Sequence, residues 1–373
     1  MDFPVTRLAE IFRIPGFDYT IESIQSGHIN TTFRVLNGNK PAYILQKVNV
    51  DIFKDIEALM SNYQVVVNSF KASPLLAGQK LIIPGIIRTQ EGRSFYTDEQ
   101  SRHWRLITYL KGVDGNTIQR DENTSYQGGL AFGALLKGLC EINPGKLNII
   151  LPDFHSLEKR FGEFQNALEK NASNRKHIVE QEIEFVVSRF QTMMKVPELI
   201  AQSDIPLRVV HNDTKLSNVI YNDLGNAIGV IDLDTVMPGS ALFDFGDAIR
   251  SCANTAAEDE PDLSKVNFDI DLFKSFSKGY LETAGTILTK KEIQYLPESA
   301  LLLTYIIGTR FLTDYLNGDI YYQTNYQEHN LIRARVQFKL LSRMEFQLME
   351  MHLIIKKYSS LFSSEVENSL IEK

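Results

Sequence analysis

VVHNDTKLSNVIY, residues 209–221, sets one His, two Asn, one Asp and one Lys between two apolar runs. LRVV (207–210) and NVIYN (218–222) have the length and β-branched content of short buried strands, which makes the polar residues the loop between them. A second run, AIGVIDLDTVMPG (227–239), passes from an apolar strand at Ala227 to Ile231 straight into Asp232 and Asp234. Carboxylates at the ends of buried strands are costly unless they are paired, hydrogen-bonded or bound to a cation. Asp213 and Asn218 lie five residues apart, so one loop can aim the carboxylate at a substrate and turn the carboxamide toward a second site. Asp232 follows fourteen residues after Asn218, at the end of the neighbouring hairpin strand. Asn218 and Asp232 are hard oxygen ligands of the kind magnesium takes when phosphate and water complete its shell. Asp213 is left as a base, and Lys215 is placed to counter the charge of a transferring phosphoryl group.

His211-x-Asp213-x4-Asn218, followed by an apolar strand ending in Asp232, is the layout of kinase machinery: the Asp accepts a hydroxyl proton, and the Asn and later Asp hold magnesium. Upstream, Tyr19 to Val48 reads as three short strands, YTIESIQ, TTFRVL and AYILQKV; the last two are joined by NGNK, where Asn37 and Gly38 suit a tight turn. The link SGHIN (26–30), with Gly27 and Asn30, is a candidate phosphate-facing loop, because a glycine lets backbone N–H groups approach an anion closely. Residues 51–70 space Ile52, Ile56, Met60 and Val67 at helical intervals, and HWRLITYLKGVDG (103–115) is another strand running into a glycine-flanked loop. Beyond about residue 112 helical patterns dominate, ending in a long run from Asn330 to Tyr358. The expected architecture is α+β and bilobal, like a protein kinase. A β-rich nucleotide-binding lobe occupies residues 1–112, and a mainly helical lobe, 113–373, carries the catalytic loop and the substrate site.

The 373 residues carry a net charge of −7 without any long acidic or basic run, which argues against nucleic acid as a partner. The opening MDFPVTRLAEIF lacks the basic and apolar regions of a secretory signal, and no run of 18 apolar residues marks a membrane span. Cys140 and Cys252 are too few and too far apart for a disulfide framework or a zinc site. A cytoplasmic protein is expected.

HNDTKLSN and VIDLDTVMPGSALFDFGDAIR resemble the motifs of the aminoglycoside phosphotransferase and choline kinase superfamily, whose catalytic loop is commonly HGDxxxxN. With WRLITYLKG, LPDFHSLEKRF and RFLTDYLNGDIYY, the chain is most similar to the N-acetylhexosamine 1-kinases, over about residues 20 to 325. The resemblance implies an ATP- and magnesium-dependent kinase that phosphorylates the anomeric hydroxyl of an amino sugar, N-acetylglucosamine or N-acetylgalactosamine. It makes Asp213 the general base, Asn218 and Asp232 the magnesium ligands, and Asp234 a further ligand or a partner of one. Asp244 would brace the catalytic loop, as would His211, and Thr108, Tyr109 and Leu110 would present backbone groups to adenine.

Kinases pair a lysine on the third strand with a glutamate on the next helix. Here Lys47 and Glu57 are on offer, but strand alternation makes either Gln46 or Lys47 the inward residue. For the acceptor, Arg310 and Asp314 share one helix face, as an exposed ion pair or as a sugar site among apolar neighbours. Asp247, His155 and Tyr321, with Tyr322 beside it, complete the candidates. The competing readings are a kinase for a choline-like, methylthioribose-like or aminoglycoside acceptor, and a pseudokinase that only binds nucleotide.

Overall fold

The computed structural model describes residues 7–16, 18–24, 29–76, 81–115 and 117–371. Gly27, the expected phosphate-loop glycine, lies outside them. After a short helix, α1 (Leu8–Ile11), the chain builds an antiparallel sheet from β1 (Tyr19–Ile24), β2 (Thr31–Asn37), β3 (Lys40–Lys47), β4 (Ile86–Ile87), β5 (Tyr96–Thr97) and β6 (His103–Thr108). The order is β1-β2-β3-β6-β4, with β5 also paired to β6. Alternation splits the two faces. Val35, Leu45, Trp104 and Leu106 pack against Leu8 and Phe12 in one apolar cluster. Ile44, Gln46, Arg105 and Ile107 turn the other way and line a cleft. The helix α2 (Ile56–Ala72) is capped by Asp55, which accepts from Ala58 N at 2.9 Å, and it buries Leu59, Met60, Tyr63, Val66, Val67 and Phe70 at three- and four-residue spacing.

Past β6 the chain crosses to a second set of strands. β7 (Val113–Asp114) joins β9 (Val219–Tyr221) and β10 (Ala227–Val230) in a three-stranded sheet, while β8 (Arg208–Val210) pairs with β11 (Met237–Gly239). These small sheets hold the loops identified in the sequence: the polar stretch lies between β8 and β9, and Asp232 and Asp234 lie between β10 and β11. The surrounding helices are α3 (Glu122–Leu139), α4 (Leu157–Lys170), α5 (Glu180–Met193), α6 (Lys195–Ala201), α7 (Ala241–Cys252), α8 (Ile270–Ala284), α9 (Lys290–Gln294), α10 (Leu296–Asn317) and α11 (His329–Ile371). They share one large apolar core. α3 and α8 touch at backbone distance, because a Cβ on Gly129 would fall 2.1 Å from Phe276 O. At the base of the lobe, Arg208 donates two hydrogen bonds to Glu292, at 2.6 and 2.8 Å, which pins the start of β8 to α9. Glu292 is fully buried, so the pair anchors the strand that leads into the polar 211–218 loop. No helix among the described residues is long and apolar enough to cross a membrane.

Candidate active site

The loop after β8 is held by one carboxylate. Asp244, in the first turn of α7, accepts from His211 N at 2.9 Å and from Asn212 N at 2.7 Å. Burial pushes its pKa up to about 6 despite the two N–H groups. Asn212 has φ +65°, a left-handed conformation that glycine adopts freely and asparagine tolerates better than most residues. The commoner HGD form of the resembled superfamily carries glycine here. Asn212 also gains a bond from its Nδ2 to Thr235 O at 3.0 Å. His211 is fully buried, with Nε2 3.1 Å from Ile231 O and Nδ1 accepting from Asp213 N at 3.3 Å. Both ring nitrogens are therefore engaged with backbone, in a bracing geometry.

Asp213 is half-buried at the cleft floor, beside Lys215 at 3.2 Å and Asn218, whose Nδ2 donates to Asp213 O at 2.8 Å and to its carboxylate at 3.2 Å. Burial alone would raise the carboxyl; Lys215 and the Asn218 bond outweigh it and hold it below the ordinary carboxylate range. The neighbouring Asp213 charge in turn pushes the Lys215 ammonium up. Asp213 is thus ionised and Lys215 charged at neutral pH.

Asn218 spends its Nδ2 on Asp213, which leaves its Oδ1 without a partner among the described residues and free to ligate. Asp232, at φ +62°, opens onto the same cleft. It stays open to the cleft, but the protein mass around it and the like charges of Asp234 and Asp213 push its pKa up to about 7. An under-compensated carboxylate beside a free carboxamide oxygen fits a hard divalent cation. Among the described residues no three His, Cys, Asp or Glu side chains are disposed to hold a metal by themselves, so phosphate and water would have to complete the shell.

Asp234, expected as a further metal ligand or a partner of one, is engaged by the protein itself. Arg105 reaches it from β6 with both guanidinium arms, Nη2 at 2.8 Å from Oδ2, and Asn30 Nδ2 donates to Oδ2 at 2.7 Å. Gln46 lies opposite Arg105 in the sheet and accepts from its Nε and Nη2 at 2.9 and 2.7 Å. The guanidinium sits 5.4 Å from the Tyr63 ring. The register therefore corrects two further expectations. Gln46, not Lys47, faces the cleft, because Lys47 shares the side of the strand that carries Leu45; and Glu57 is exposed on the first turn of α2, away from any such lysine. Arg105 was missed in the sequence, where its signal is a lone charge inside the apolar run WRLIT.

The cleft measures about 650 Å³, within the range of small-ligand sites. Asn30, Thr108, Tyr109 and Leu110 line it. Asn30 is already tied to Asp234 and accepts from Asn49 N at 2.9 Å. The N–H groups of Thr108 and Tyr109 donate to Gly85 O and Ala42 O, so of the three hinge residues it is the Leu110 N–H that the sheet leaves unused.

Of the acceptor candidates, Asp314 is corrected. Its oxygens accept from Ile320 N, Tyr321 N, Tyr322 N and Asn330 Nδ2 at 2.8 to 3.0 Å, so it caps the 320–322 loop rather than facing a ligand. Asp247 is likewise occupied, by Arg250 at 2.9 Å. Arg310 pairs with neither. Its guanidinium stands 5.5 Å from the Phe154 ring and 5.7 Å from those of Tyr321 and Tyr322. His155 bonds Asn212 O at 2.9 Å through Nε2, and its Nδ1 is buried without a hydrogen-bond partner among the described residues. Burial lowers its pKa to about 4, so the ring is neutral. Phe154 and His155 thereby connect Arg310 to the Asp213 loop.

Residues 20–272 match the model of the phosphotransferase enzyme family. Among solved structures, the chain is similar to a microcompartment-associated aminopropanol kinase, with 16% identity, a TM-score of 0.63, and 91% of this chain and 95% of that one covered. It is similar to choline kinase from Cryptosporidium parvum Iowa II, with 15% identity, a TM-score of 0.58, and 94% and 95% covered. It is also similar to aminoglycoside 2'-phosphotransferase-IIIa, solved as a GDP complex, with 12% identity, a TM-score of 0.57, and 89% and 96% covered. At these identities the likeness is one of fold, a kinase-like α+β arrangement.

Two outcomes follow from the charge geometry. Arg105→Ala leaves the Asp234 carboxylate buried and unpaired and should destabilise the chain by about 3–5 kcal/mol in urea unfolding, while Arg105→Met combined with Asp234→Leu should recover part of that loss. At Asp232 the folded chain keeps, between pH 3.8 and about 7, a proton that the unfolded chain has released, so metal-free stability falls as pH rises through that window. Asp232→Asn should raise the metal-free Tm at pH 7 and abolish the Tm increase that magnesium with ADP produces in the parent chain.

Proposed function

The chain belongs to the phosphotransferase enzyme family, and on that premise we propose that it is an ATP-dependent, magnesium-requiring kinase acting on the anomeric hydroxyl of a neutral amino sugar, an N-acetylhexosamine. The observation that carries this choice of acceptor is Arg310. Proteins recognise ammonium groups with aromatic faces. Here the aromatic cluster of Phe154, Tyr321 and Tyr322 is already filled by the chain's own guanidinium, and no carboxylate among the described residues forms an ion pair with it. The cluster does not line the cleft itself but adjoins the Asp213 loop through His155, and from there it would repel a cationic acceptor and offer N–H donors to neutral oxygens. The lining of the cleft supports the same reading: five carboxylates, Asp114, Asp213, Asp232, Asp234 and Glu258, face five cations, Arg34, Arg105, Arg120, Lys215 and Arg250, with no acidic surplus to draw an amine.

Asp213 takes the proton of the acceptor hydroxyl as the oxygen attacks the terminal phosphorus of ATP. Its lowered pKa makes it a weak base, which suits an anomeric hydroxyl, more acidic than an ordinary alcohol. Lys215 stands beside it to offset the charge on the transferring group. Magnesium held by Asn218 and Asp232 would neutralise the donor phosphates. Adenine would lie along Thr108 to Leu110, with the Leu110 N–H as the available donor. The remaining barrier is lowered mainly by holding the two substrates in line.

The test is phosphate transfer from ATP across a panel of N-acetylglucosamine, N-acetylgalactosamine, choline, ethanolamine, 1-amino-2-propanol and kanamycin, followed by phosphorus NMR. The expected product is a sugar 1-phosphate, recognised by its acid lability; transfer only to the amines would sink the sugar reading and leave the kinase intact. Asp213→Asn should lower kcat by about 10²- to 10⁴-fold with nucleotide binding retained. Nucleotide binding with no transfer by the parent chain to any acceptor would favour the pseudokinase instead.

A further inference from the structure

The cleft does not end at Asp213 and Lys215. It continues along Arg250, Ser251, Asn254, Ala256 and Glu258 and reaches Gln337 on α11. Most polar groups at this end are satisfied. Arg250 donates its Nε to Asp247 at 2.9 Å and its Nη1 to Glu258 at 3.0 Å, so its charge is spent on two carboxylates. Ser251 Oγ donates to Ala248 O at 3.0 Å and accepts from Leu216 N at 3.3 Å, and Asn254 Oδ1 accepts from Ala256 N at 3.2 Å. Gln337 differs. It is 1% exposed, and its Oε1 is buried without a hydrogen-bond partner among the described residues.

A buried polar group left unpaired opposes folding, and such groups are few in folded proteins. Gln337 is also held in place. A Cβ on Gly308 of α10 would come within 2.6 Å of the Phe338 ring and 3.0 Å of Gln337 Cβ, so the two helices meet at contact distance beside it. Phe338 stacks on Phe185 at 4.7 Å and removes the freedom of α11 to turn. A rigid, uncharged carboxamide thus lines the cavity that holds Asp213, and its Oε1 has no hydrogen-bond partner among the described residues.

We propose that Gln337 is a specificity residue that recognises a neutral substituent of the acceptor, a hydroxyl or amide that can both donate and accept a hydrogen bond. It does so from α11, beyond the segment 20–272 that matches the family model. The inference rests on reading the cleft as the phosphotransfer site, and it deepens that reading by naming the group that selects the acceptor. A carboxamide matches an amide N–H and C=O, or a pair of hydroxyls, and leaves a bare ammonium with one unmatched side.

The test compares the full-length parent chain with Gln337→Met, close in shape but without hydrogen bonds, and with Gln337→Glu, which keeps the acceptor oxygens and adds charge. The acceptor is whichever panel compound the parent chain phosphorylates best, assayed beside analogues lacking single hydroxyl or amide groups. Gln337→Met should raise the acceptor KM about 10-fold or more, leave the KM for ATP in place, and erase the difference between the parent acceptor and the analogue lacking the recognised group. Its Tm without ligands should hold or rise, because an orphaned polar group has been removed. Gln337→Glu should shift preference from N-acetylglucosamine toward glucosamine. The proposal is overturned if the acceptor KM does not move, or if Tm falls by several degrees while both KM values rise together, the signature of a structural residue. Failure of the sugar reading is separable, since it shows in the parent chain as transfer to an amino alcohol and not to sugars, and the Gln337 comparison then runs on that amino alcohol.

Discussion

The site depends on the carboxylate of Asp234. It is nearly fully buried, and it receives Arg105 from the N-terminal sheet and Asn30 from the link between the first two strands. Two residues earlier on the same loop, Asp232 opens onto the cleft. One side of the loop is therefore clamped by the N-terminal sheet while the other side presents an acid to the cleft. Such a pair contributes less to stability than to geometry, because the cost of drying two charges nearly cancels their attraction, whereas breaking it leaves a charge with no solvent. The distance between lobes is thereby tied to the placement of Asp232.

This arrangement redistributes the usual kinase components. Where a lysine on the third strand meets a glutamate on the next helix, this chain places Gln46 on the strand and Met60 and Tyr63 on the helix, and it brings the cation from the strand before the hinge. An arginine suits that position. Its planar fork can satisfy Asp234 with two arms and Gln46 with the rest, which a lysine ammonium could do only in part. A parallel economy operates at the catalytic loop, where one carboxylate, Asp244, orders two consecutive peptide N–H groups and so fixes the direction of Asp213.

The acceptor side is built from residues that sequence spacing groups in misleading ways. Arg310 and Asp314 share a helix face, but a helix of 22 residues that is buried nearly all round sends four-residue neighbours to different partners. Asp314 ends as a cap for the loop that carries Tyr321, and Arg310 enters the aromatic cluster that this loop and Phe154 create. Both residues therefore shape one loop, one by holding its backbone and one by packing on its aromatic ring. Gln337 lines the cleft from a helix with no recognisable motif, where a polar residue in an apolar stripe is the only trace.

What the sequence determined by itself was the local frame of the candidate site: Asp213, Asn218 and Asp232 at their spacing, the strands around them, the helical lobe behind, and the alternation that makes half of each strand face a cleft. These are local properties, set by periodicity, turn residues and the cost of burying unpaired carboxylates. Only the tertiary structure decided which carboxylates remain available. Asp234, Asp247 and Asp314 look in the sequence no different from Asp213 and Asp232; Asp234 is withdrawn by Arg105 from a distant strand, and Asp247 and Asp314 by Arg250 and the 320–322 loop, close along the chain but brought to them only by the local fold. The physical reason is that a buried charge is defined by its partners, and partners separated by as many as 204 residues meet only when the lobes pack on one another.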